Sequence, residues 1–177
     1  WEAMTTIIEC WNWLLTARPD VEMVFLREMI ASWHSSQYQR LGLFNEYSPK
    51  HTPLAPDEAM KTKMRPFRAA FETHDLWIKF IQERIDIAKY CSQEQVYMFT
   101  HMLQTTLDFS VGQKAIKRGK ERSGIPSICR HISSVGTRFR LLICGMSLLQ
   151  SDVLPKSMAK NILRQRIYSV ALDYFCG

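Results

Sequence analysis

The stretch that decides the fold is Phe139-Arg-Leu-Leu-Ile-Cys-Gly-Met-Ser-Leu-Leu149. After Arg140 it contains no charged residue, and only Gly145 and Ser147 interrupt its apolar side chains. A segment that is apolar on every side is typical of a protein core. It is too short to cross a bilayer, which takes ~20 residues of helix. We therefore expect this segment to be the most buried in the protein.

The flanks of this stretch favour a helix over a strand. Pro126 lies where a helix begins, and the next turn residues are Asp152 and Pro155. Within the stretch, leucine and methionine outnumber β-branched residues, which also favours a helix. We predict one central helix over roughly 127–150, with the other helices packed around its C-terminal half.

Length and composition indicate one globular domain. The 177 residues are 46% hydrophobic and 23% charged, which is typical of a soluble domain of this size. We find no signal peptide, lipidation motif or membrane span. Because the helical pattern starts and stops flush with the chain, we expect 1–177 to be a single helical domain excised from a longer polypeptide.

A helical hairpin is predicted at the start of the chain. Apolar residues recur at i, i+3, i+4 and i+7 over 2–16, which predicts an amphipathic helix. Pro19 ends it, and Asp20 is expected to cap the next helix. A connection of about four residues makes the two helices antiparallel neighbours. The two apolar stripes are Met4, Ile7, Ile8, Trp11, Leu14 and Leu15, then Met23, Leu26, Ile30 and Trp33.

The helical period fails over 43–73, which we interpret as a proline-rich loop. Only 56–63 could form a short helix. A connection this long inside a compact domain is either functional or disordered, and we expect most of it to be disordered. Its prolines are Pro49, Pro53, Pro56 and Pro66.

The period then returns and predicts further helices. A third helix ends near Cys91, and Ser92 begins the fourth with Gln95 as its capping-box partner. A last helix follows the turn at 151–155. The stripes are Trp77, Phe80, Ile81, Ile85, Ala88 and Cys91; Val96, Phe99, Leu103 and Leu107; and Ile162, Leu163, Ile167, Val170, Ala171 and Tyr174.

No segment alternates as a half-buried strand does, so the predicted fold class is all-α. Successive hairpins without a sheet form either an α-solenoid-like stack or an irregular helical bundle. We predict about six main helices, arranged as stacked antiparallel hairpins.

The net charge of +6 is concentrated in a basic loop at 112–126. This loop contains five basic residues and a single acidic residue, Glu121. An anionic membrane surface or nucleic acid could bind such a patch, although no aromatic residue is present to stack on a base. The plain alternative is a solvated insertion. The candidate membrane or partner patch is Lys114, Lys117, Arg118, Lys120 and Arg122.

The sequence contains no recognisable set of residues for catalysis, phosphate binding or metal binding. Its seven glycines form neither GxGxxG nor GxxxxGK[ST], so no phosphate loop is predicted. Its histidines lack metal-ligand spacing, and its acids lie on solvated helix faces. We predict no catalytic, cofactor-binding or metal residue. The five cysteines are widely spaced and are expected to be reduced core thiols: Cys10, Cys91, Cys129, Cys144 and Cys176.

Two aromatic residues, Trp13 and Tyr97, fall off the apolar stripes of their helices. Exposed aromatic side chains are enriched where proteins contact one another. We therefore predict that Trp13 and Tyr97 mark an interface with another part of the protein or with a second copy.

Seven stretches resemble the helical region upstream of the kinase domain in the phosphatidylinositol 4-kinase III alpha family. The similarity runs in order from Glu9 to Phe175 and lapses in the proline-rich and basic loops. The stretches are Glu9-Cys-Trp-Asn-Trp-Leu-Leu15, Phe25-Leu-Arg-Glu-Met29 with Trp33-His34, Leu41-Gly-Leu-Phe44, Ile85-Asp-Ile-Ala-Lys-Tyr-Cys-Ser92, Arg130-His131, Gly136-Thr-Arg-Phe-Arg-Leu-Leu142 and Tyr168-Ser-Val-Ala-Leu-Asp-Tyr-Phe175.

The resemblance implies a non-catalytic scaffold or dimerisation segment. Its parent chain would phosphorylate phosphatidylinositol to phosphatidylinositol 4-phosphate with ATP and Mg²⁺, at the cytosolic face of the plasma membrane. The implied partners are the rest of the kinase, a second copy, hyccin and a tetratricopeptide-repeat subunit, with peripheral membrane association through that complex and no nucleic acid. The alternative is a stand-alone helical adaptor that contacts anionic lipid through the basic loop.

Overall fold

A computed structural model describes residues 2–44, 58–108, 139–154 and 158–176, with the backbone alone at 58–71, 108 and 173–176. These residues form six α-helices and two short 3-10 turns, without a strand, so the all-α prediction is confirmed. The architecture is a helical bundle. The helices are α1 (Glu2–Ala17), α2 (Glu22–Tyr38), α3 (Glu58–Cys91), α4 (Gln93–Asp108), α5 (139–149) and α6 (Met158–Cys176), and the 3-10 turns are Pro19–Val21 and Gly42–Phe44.

The connection between α1 and α2 is short, as predicted, but Asp20 does not cap α2. Its carboxylate accepts hydrogen bonds from Arg18 Nε at 2.8 Å and Arg18 Nη2 at 2.7 Å. Helix α2 starts after Val21, which makes no side-chain capping bond. The capping prediction is wrong because Asp20 lies inside a 3-10 turn, where the guanidinium two residues earlier occupies its oxygens.

The prediction of a proline-rich loop is wrong over 58–73, because these residues belong to α3. This helix runs for 34 residues and passes through Pro66. A proline in a helix interior has no N–H to donate and destabilises the helix by ~3 kcal/mol. Pro66 therefore favours a helix end when the sequence is considered alone. An unbroken 4–3 apolar spacing continues on both sides of it. The repeat is Met60, Met64, Phe67, Phe71, His74, Ile78, Ile81, Ile85 and Ala88. Residues 45–57 lie outside the described part of the chain.

Aromatic side chains from four elements form the centre of the core. The ring centroid of Trp11 lies 5.4 Å from those of Phe25 and Phe80, which joins α1, α2 and α3. Trp33 is fully buried, and its ring lies 5.4 Å from Trp77 and 5.5 Å from Phe44 of the second 3-10 turn. Helix α1 also packs on α3, and α2 packs on α4.

Helix α5 is buried on most sides, but not on all of them. Leu141, Leu142, Cys144 and Leu148 lie in the core, whereas Ile143 and Met146 are exposed. The predicted burial of this segment is therefore confirmed on one side and wrong on the side that carries Ile143 and Met146. Helix α5 is held between α3 and α6, and its remaining side faces outward. Its predicted end near Gln150 is confirmed, and 127–138 lie outside the described residues.

Helix α6 packs against α4 and α5. A Cβ atom on Gly145 would lie 2.7 Å from Ile167 Cδ1, so the absence of a side chain lets α5 and α6 approach closely. Gln104 Nε2 of α4 donates to the carbonyl oxygen of Ala159 at 3.0 Å. The predicted cap of α4 is correct, since the Gln95 N–H donates to Ser92 Oγ at 3.4 Å, but the capping box is incomplete because the Ser92 N–H donates to the Ala88 carbonyl oxygen at 2.9 Å.

Candidate interaction surfaces

The two predicted interface residues, Trp13 and Tyr97, lie on different helices. Trp13 of α1 is 84% exposed, and Tyr97 of α4 is 37% exposed. Helix α1 packs on α3, whereas α4 packs on α2, α3 and α6. The structure thus places the two aromatic residues on separate parts of the bundle. Their role at an interface stays a prediction.

The exposed side of α1 around Trp13 is more apolar than the sequence indicated. Ile7, Cys10 and Leu14 are exposed and follow one another at helical spacing. Ile7 and Leu14 were predicted to lie in the buried stripe, and that is wrong. Contact with neighbouring helices covers only the side of α1 that carries Met4 and Leu15.

Polar side chains fasten α5 to α3. Ser147 Oγ donates to Asp86 Oδ1 at 2.8 Å, and Lys89 Nζ donates to the same oxygen at 2.9 Å. Lys89 Nζ also donates to Ser147 Oγ at 3.2 Å. We call Asp86, Lys89 and Ser147 the polar clasp. Next to it, Ser151 Oγ donates to the Lys89 carbonyl oxygen at 2.7 Å.

The electrostatics of the polar clasp favour a structural role. Burial raises the pKa of Asp86, but hydrogen bonds from Lys89 and Ser147 and the charge of Lys89 outweigh it, so the net pKa lies below the usual range. The hydrogen bond to Asp86 raises the pKa of Lys89. General acid–base catalysis works best with a pKa near the operating pH. Both groups move away from neutrality, as expected of an ion pair.

The polar groups inside the bundle are used for packing. Trp33 Nε1 donates to Thr106 Oγ1 at 2.9 Å, and Ser36 Oγ lies 3.2 Å from His74 Nε2. All four side chains are buried. Within the described residues, no three His, Cys, Asp or Glu side chains come together in a way that could hold a metal ion.

The described cysteines differ in environment. Cys144 is buried, and burial raises the pKa of its thiol to about 12, so the nucleophilic thiolate is scarce at neutral pH. Cys10 and Cys91 are exposed free thiols, so their prediction as core residues is wrong. Both lie on the outward sides of their helices. The side chains of Cys129 and Cys176 fall outside the description.

The five basic residues of the predicted patch are not among the described residues, so the patch stays a prediction. They are Lys114, Lys117, Arg118, Lys120 and Arg122. None of the described helices combines the length and the apolarity needed to cross a membrane.

Helix α6 also has an exposed apolar side that its sequence pattern did not indicate. Met158, Ile162 and Leu172 are exposed there, although Ile162 was predicted to lie in the buried stripe. The buried side carries Leu163 and Ile167. No local signal separates the two sides, because the apolar residues of this helix are spread around it rather than collected on one side.

Comparison with known proteins places this bundle in a family. The whole chain, residues 1–177, matches the family described as PI4-kinase N-terminal region. It is 40% identical over 137 residues to the human phosphatidylinositol 4-kinase alpha-like protein P2, a match covering 77% of this chain and 21% of that protein. It is 25% identical over 185 residues to phosphatidylinositol 4-kinase alpha 1 of Arabidopsis thaliana, covering 98% of this chain and 8% of the relative.

The chain therefore spans only a small part of the length of these two relatives. No solved structure matches it. The match runs through every described helix and confirms the resemblance inferred from the seven stretches. This chain belongs to the PI4-kinase N-terminal region family.

Proposed function

We propose that the chain is a helical scaffold segment of a phosphatidylinositol 4-kinase and takes no direct part in phosphoryl transfer. The observation that carries this proposal is the family match along all 177 residues. The packing supports it, because side chains from every described α-helix contribute to or pack against one core. The described groups whose pKa shifts favour the charged form lie in ion pairs between near neighbours in sequence, Asp86 with Lys89 and Asp20 with Arg18, which is typical of structural groups.

The proposed mechanism is positional. Close packing makes the bundle stiff, so segments joined to its helices keep a fixed relative position. Beyond this segment, the relatives' names suggest the chemistry of the longer protein. We propose that it transfers the γ-phosphate of ATP, with Mg²⁺, to the 4-hydroxyl of phosphatidylinositol. A second copy, hyccin, a tetratricopeptide-repeat subunit and the cytosolic face of the plasma membrane are its proposed surroundings.

A kinase assay on the full-length protein can separate a scaffold from a catalytic segment. The polar clasp carries the best candidate for proton transfer, so Asp86→Asn and Lys89→Met are the informative variants. A catalytic proton transfer contributes ~10²–10⁴-fold to rate. The scaffold proposal predicts that kcat for phosphatidylinositol phosphorylation changes by less than about twofold.

The control variant is Phe80→Ala, which removes a buried ring of the core. It should lower the amount of folded, active enzyme while leaving the KM for ATP unchanged. A hundredfold loss of kcat in a clasp variant that stays folded would contradict the scaffold proposal.

The second candidate function is a stand-alone adaptor for anionic lipid. The concentration of five basic residues within 114–122 favours it. Each Lys or Arg near an anionic leaflet contributes ~1 kcal/mol to binding. Vesicles containing phosphatidylserine should then bind the protein more tightly than pure phosphatidylcholine vesicles, and reversing these charges should abolish the difference. Equal binding to both vesicles would rule the adaptor out.

A further inference from the structure

Two histidines that are distant in sequence lie side by side where α2 packs on α4. The ring centroids of His34 on α2 and His101 on α4 are 6.5 Å apart, and the ring planes are nearly perpendicular, at 82°. His34 is half-buried, whereas His101 is exposed. The pair is therefore accessible from solvent at the boundary between the two helices.

The ring of His34 is held by a buried amide. Its Nδ1 lies 2.8 Å from Oε1 of Gln37, a side chain that is 2% exposed. Because an amide oxygen only accepts hydrogen bonds, Nδ1 carries the proton and Nε2 keeps its lone pair. Histidines that bind metal ions typically donate their other ring N–H to an oxygen in this way, which fixes the ring and raises the basicity of the ligating nitrogen. His34 thus has the surroundings of a metal ligand.

The ring of His101 is not fixed by a hydrogen bond. The backbone carbonyl of His101 accepts a bond from Thr105 Oγ1 at 3.0 Å, but no described residue bonds to its ring nitrogens. An exposed side chain of this kind can exchange between staggered rotamers. His101 can therefore adjust its ring to whatever binds at His34.

Other contacts hold the two helices together around the histidine pair. Two helical turns before the histidines, Arg27 Nη2 donates to Glu94 Oε1 at 3.1 Å. Inside the bundle, Trp33 Nε1 donates to Thr106 Oγ1 at 2.9 Å. The backbones that carry the two imidazoles are thus positioned without help from a ligand. Preorganised groups lose less conformational freedom when they bind one.

We propose that His34 and His101 form a binding site for a divalent transition-metal ion such as Zn²⁺, which links α2 to α4. Imidazole nitrogen suits Zn²⁺, Cu²⁺ and Ni²⁺, whereas Mg²⁺ and Ca²⁺ prefer oxygen ligands. The described residues provide no group of three His, Cys, Asp or Glu ligands, so water completes the coordination. With two protein ligands, the site is open and exchanges its ion, unlike a closed structural zinc site with four.

Binding of one ion by both rings requires a small movement. With Zn–N bonds of ~2.0–2.1 Å and tetrahedral angles, the two ring centroids would lie about 5 Å apart. They are 6.5 Å apart in this structure. The rings must therefore approach each other by about 1 Å, which a rotation of the exposed His101 side chain can supply.

Modification with diethyl pyrocarbonate tests the site in the full-length protein without measuring activity. The reagent attacks the lone pair of a neutral imidazole, so a histidine that binds a metal ion does not react. Mass spectrometry measures the modification rate of each histidine with Zn²⁺ and with a chelator. At a Zn²⁺ concentration about ten times the dissociation constant, His34 and His101 should both react about tenfold more slowly, because only the ion-free fraction reacts.

Variants of the pair provide matched tests. His34→Asn should abolish the Zn²⁺ effect on His101, because a single imidazole binds the ion weakly. Gln37→Met, which removes the acceptor for Nδ1, should weaken Zn²⁺ binding ~10–100-fold. Arg27→Gln is the control, since it breaks the neighbouring contact between α2 and α4 but removes no ligand, and it should leave the protection of His101 unchanged.

Three results would overturn the proposal. Equal modification of His101 with Zn²⁺ and with chelator would show that no ion binds. Protection of His101 that persists in His34→Asn would show that the two rings do not share an ion. Equal protection by Mg²⁺ would show that the effect does not come from imidazole ligation. The proposal does not rest on the scaffold function, and no outcome depends on the kinase assay, so the two can fail separately.

Discussion

Gly145 lies where α5 and α6 come closest, and a substitution there has two opposing effects. Alanine favours a helix over glycine by ~1 kcal/mol. Its Cβ would, however, lie 2.7 Å from Ile167 Cδ1 and 3.2 Å from Ile167 Cγ1. Overpacking a core costs ~1–3 kcal/mol, so we expect Gly145→Ala to lower the free energy of unfolding by ~1 kcal/mol net. Urea unfolding measures this change.

A double mutant checks the physical reason. Ile167→Val removes the Cδ1 atom, at a cost of ~0.5–1.5 kcal/mol on its own. In that background the nearest obstacle is gone, so Gly145→Ala should become neutral or stabilising. If Gly145→Ala has the same effect in both backgrounds, the close approach to Ile167 does not decide the residue at this position.

Truncation of the two tryptophans Trp13 and Trp33 should change the free energy of unfolding by very different amounts. Trp33 is fully buried and its Nε1 donates to Thr106 Oγ1, so Trp33→Ala should cost ~3–5 kcal/mol of unfolding free energy. Trp13 is largely exposed, and Trp13→Ala should stay within ~0.5 kcal/mol. Chemical denaturation of both variants measures the contrast. Equal losses would mean that the two side chains are not packed as described.

At the scale of elements, the polar clasp predicts how the α3–α5 contact depends on pH. The pKa of Asp86 is lowered in the folded protein. The stability it contributes is therefore present above the unfolded pKa of ~3.9 and is lost as the pH falls through the folded pKa. The raised pKa of Lys89 acts in the opposite direction. Its contribution is present below ~10.4 and is lost as the pH rises through the folded pKa.

Asp86→Asn should remove the loss of stability that the Asp86 carboxylate causes at low pH. Between pH 5 and pH 2, we expect the urea midpoint of the variant to fall less steeply than that of the unmodified protein, at about the pH range where carboxylates titrate. Ser147→Ala, which removes one of the two bonds to the carboxylate, should give an intermediate slope. Parallel curves for all three proteins would contradict a pH-dependent clasp.

At the scale of the whole molecule, the exposed side of α1 tests self-association. Trp13 projects from it beside the exposed Ile7 and Leu14. An aromatic residue at the centre of an interface contributes ~2 kcal/mol or more, about 30-fold in the dissociation constant. If two copies meet here, light scattering should show a mass that rises above 20.7 kDa with concentration. Trp13→Ala should shift that rise to higher concentration.

Tyr38→Ala is the control for this measurement, because Tyr38 is an exposed aromatic residue on another helix. Tyr97→Ala tests the second predicted residue in the same way. A mass of 20.7 kDa at every concentration would exclude self-association through this surface.

The helices could be predicted well from the sequence, but their covered sides could not. The spacing of Ile81, Ile85 and Ala88 marks the buried side of α3 correctly, since three neighbouring helices cover it. The same rule placed Ile7 and Ile162 in the core, where they are not. Periodicity shows which residues share a side of one helix, whereas the width of the covered side depends on neighbours from distant parts of the chain.

The candidate surfaces, too, could be predicted from the sequence only in part. Trp13 could be identified in advance because it falls off a clear apolar stripe. The exposed apolar side of α6 could not, because the apolar residues of this helix lie on both its covered and its uncovered side, so no single stripe distinguishes inside from outside. The polar clasp joins residues 61 positions apart in sequence, and no local pattern indicates such a pairing.

The sequence by itself determined the all-α class, the short connections and the family, because helical period, turn residues and residue identity are local properties. The tertiary structure alone decided that Ile167 packs against Gly145 and that α6 keeps one apolar side uncovered. Each of these depends on whether the packing of distant segments outweighs a local preference of ~1–3 kcal/mol. That balance is set only when the helices are assembled.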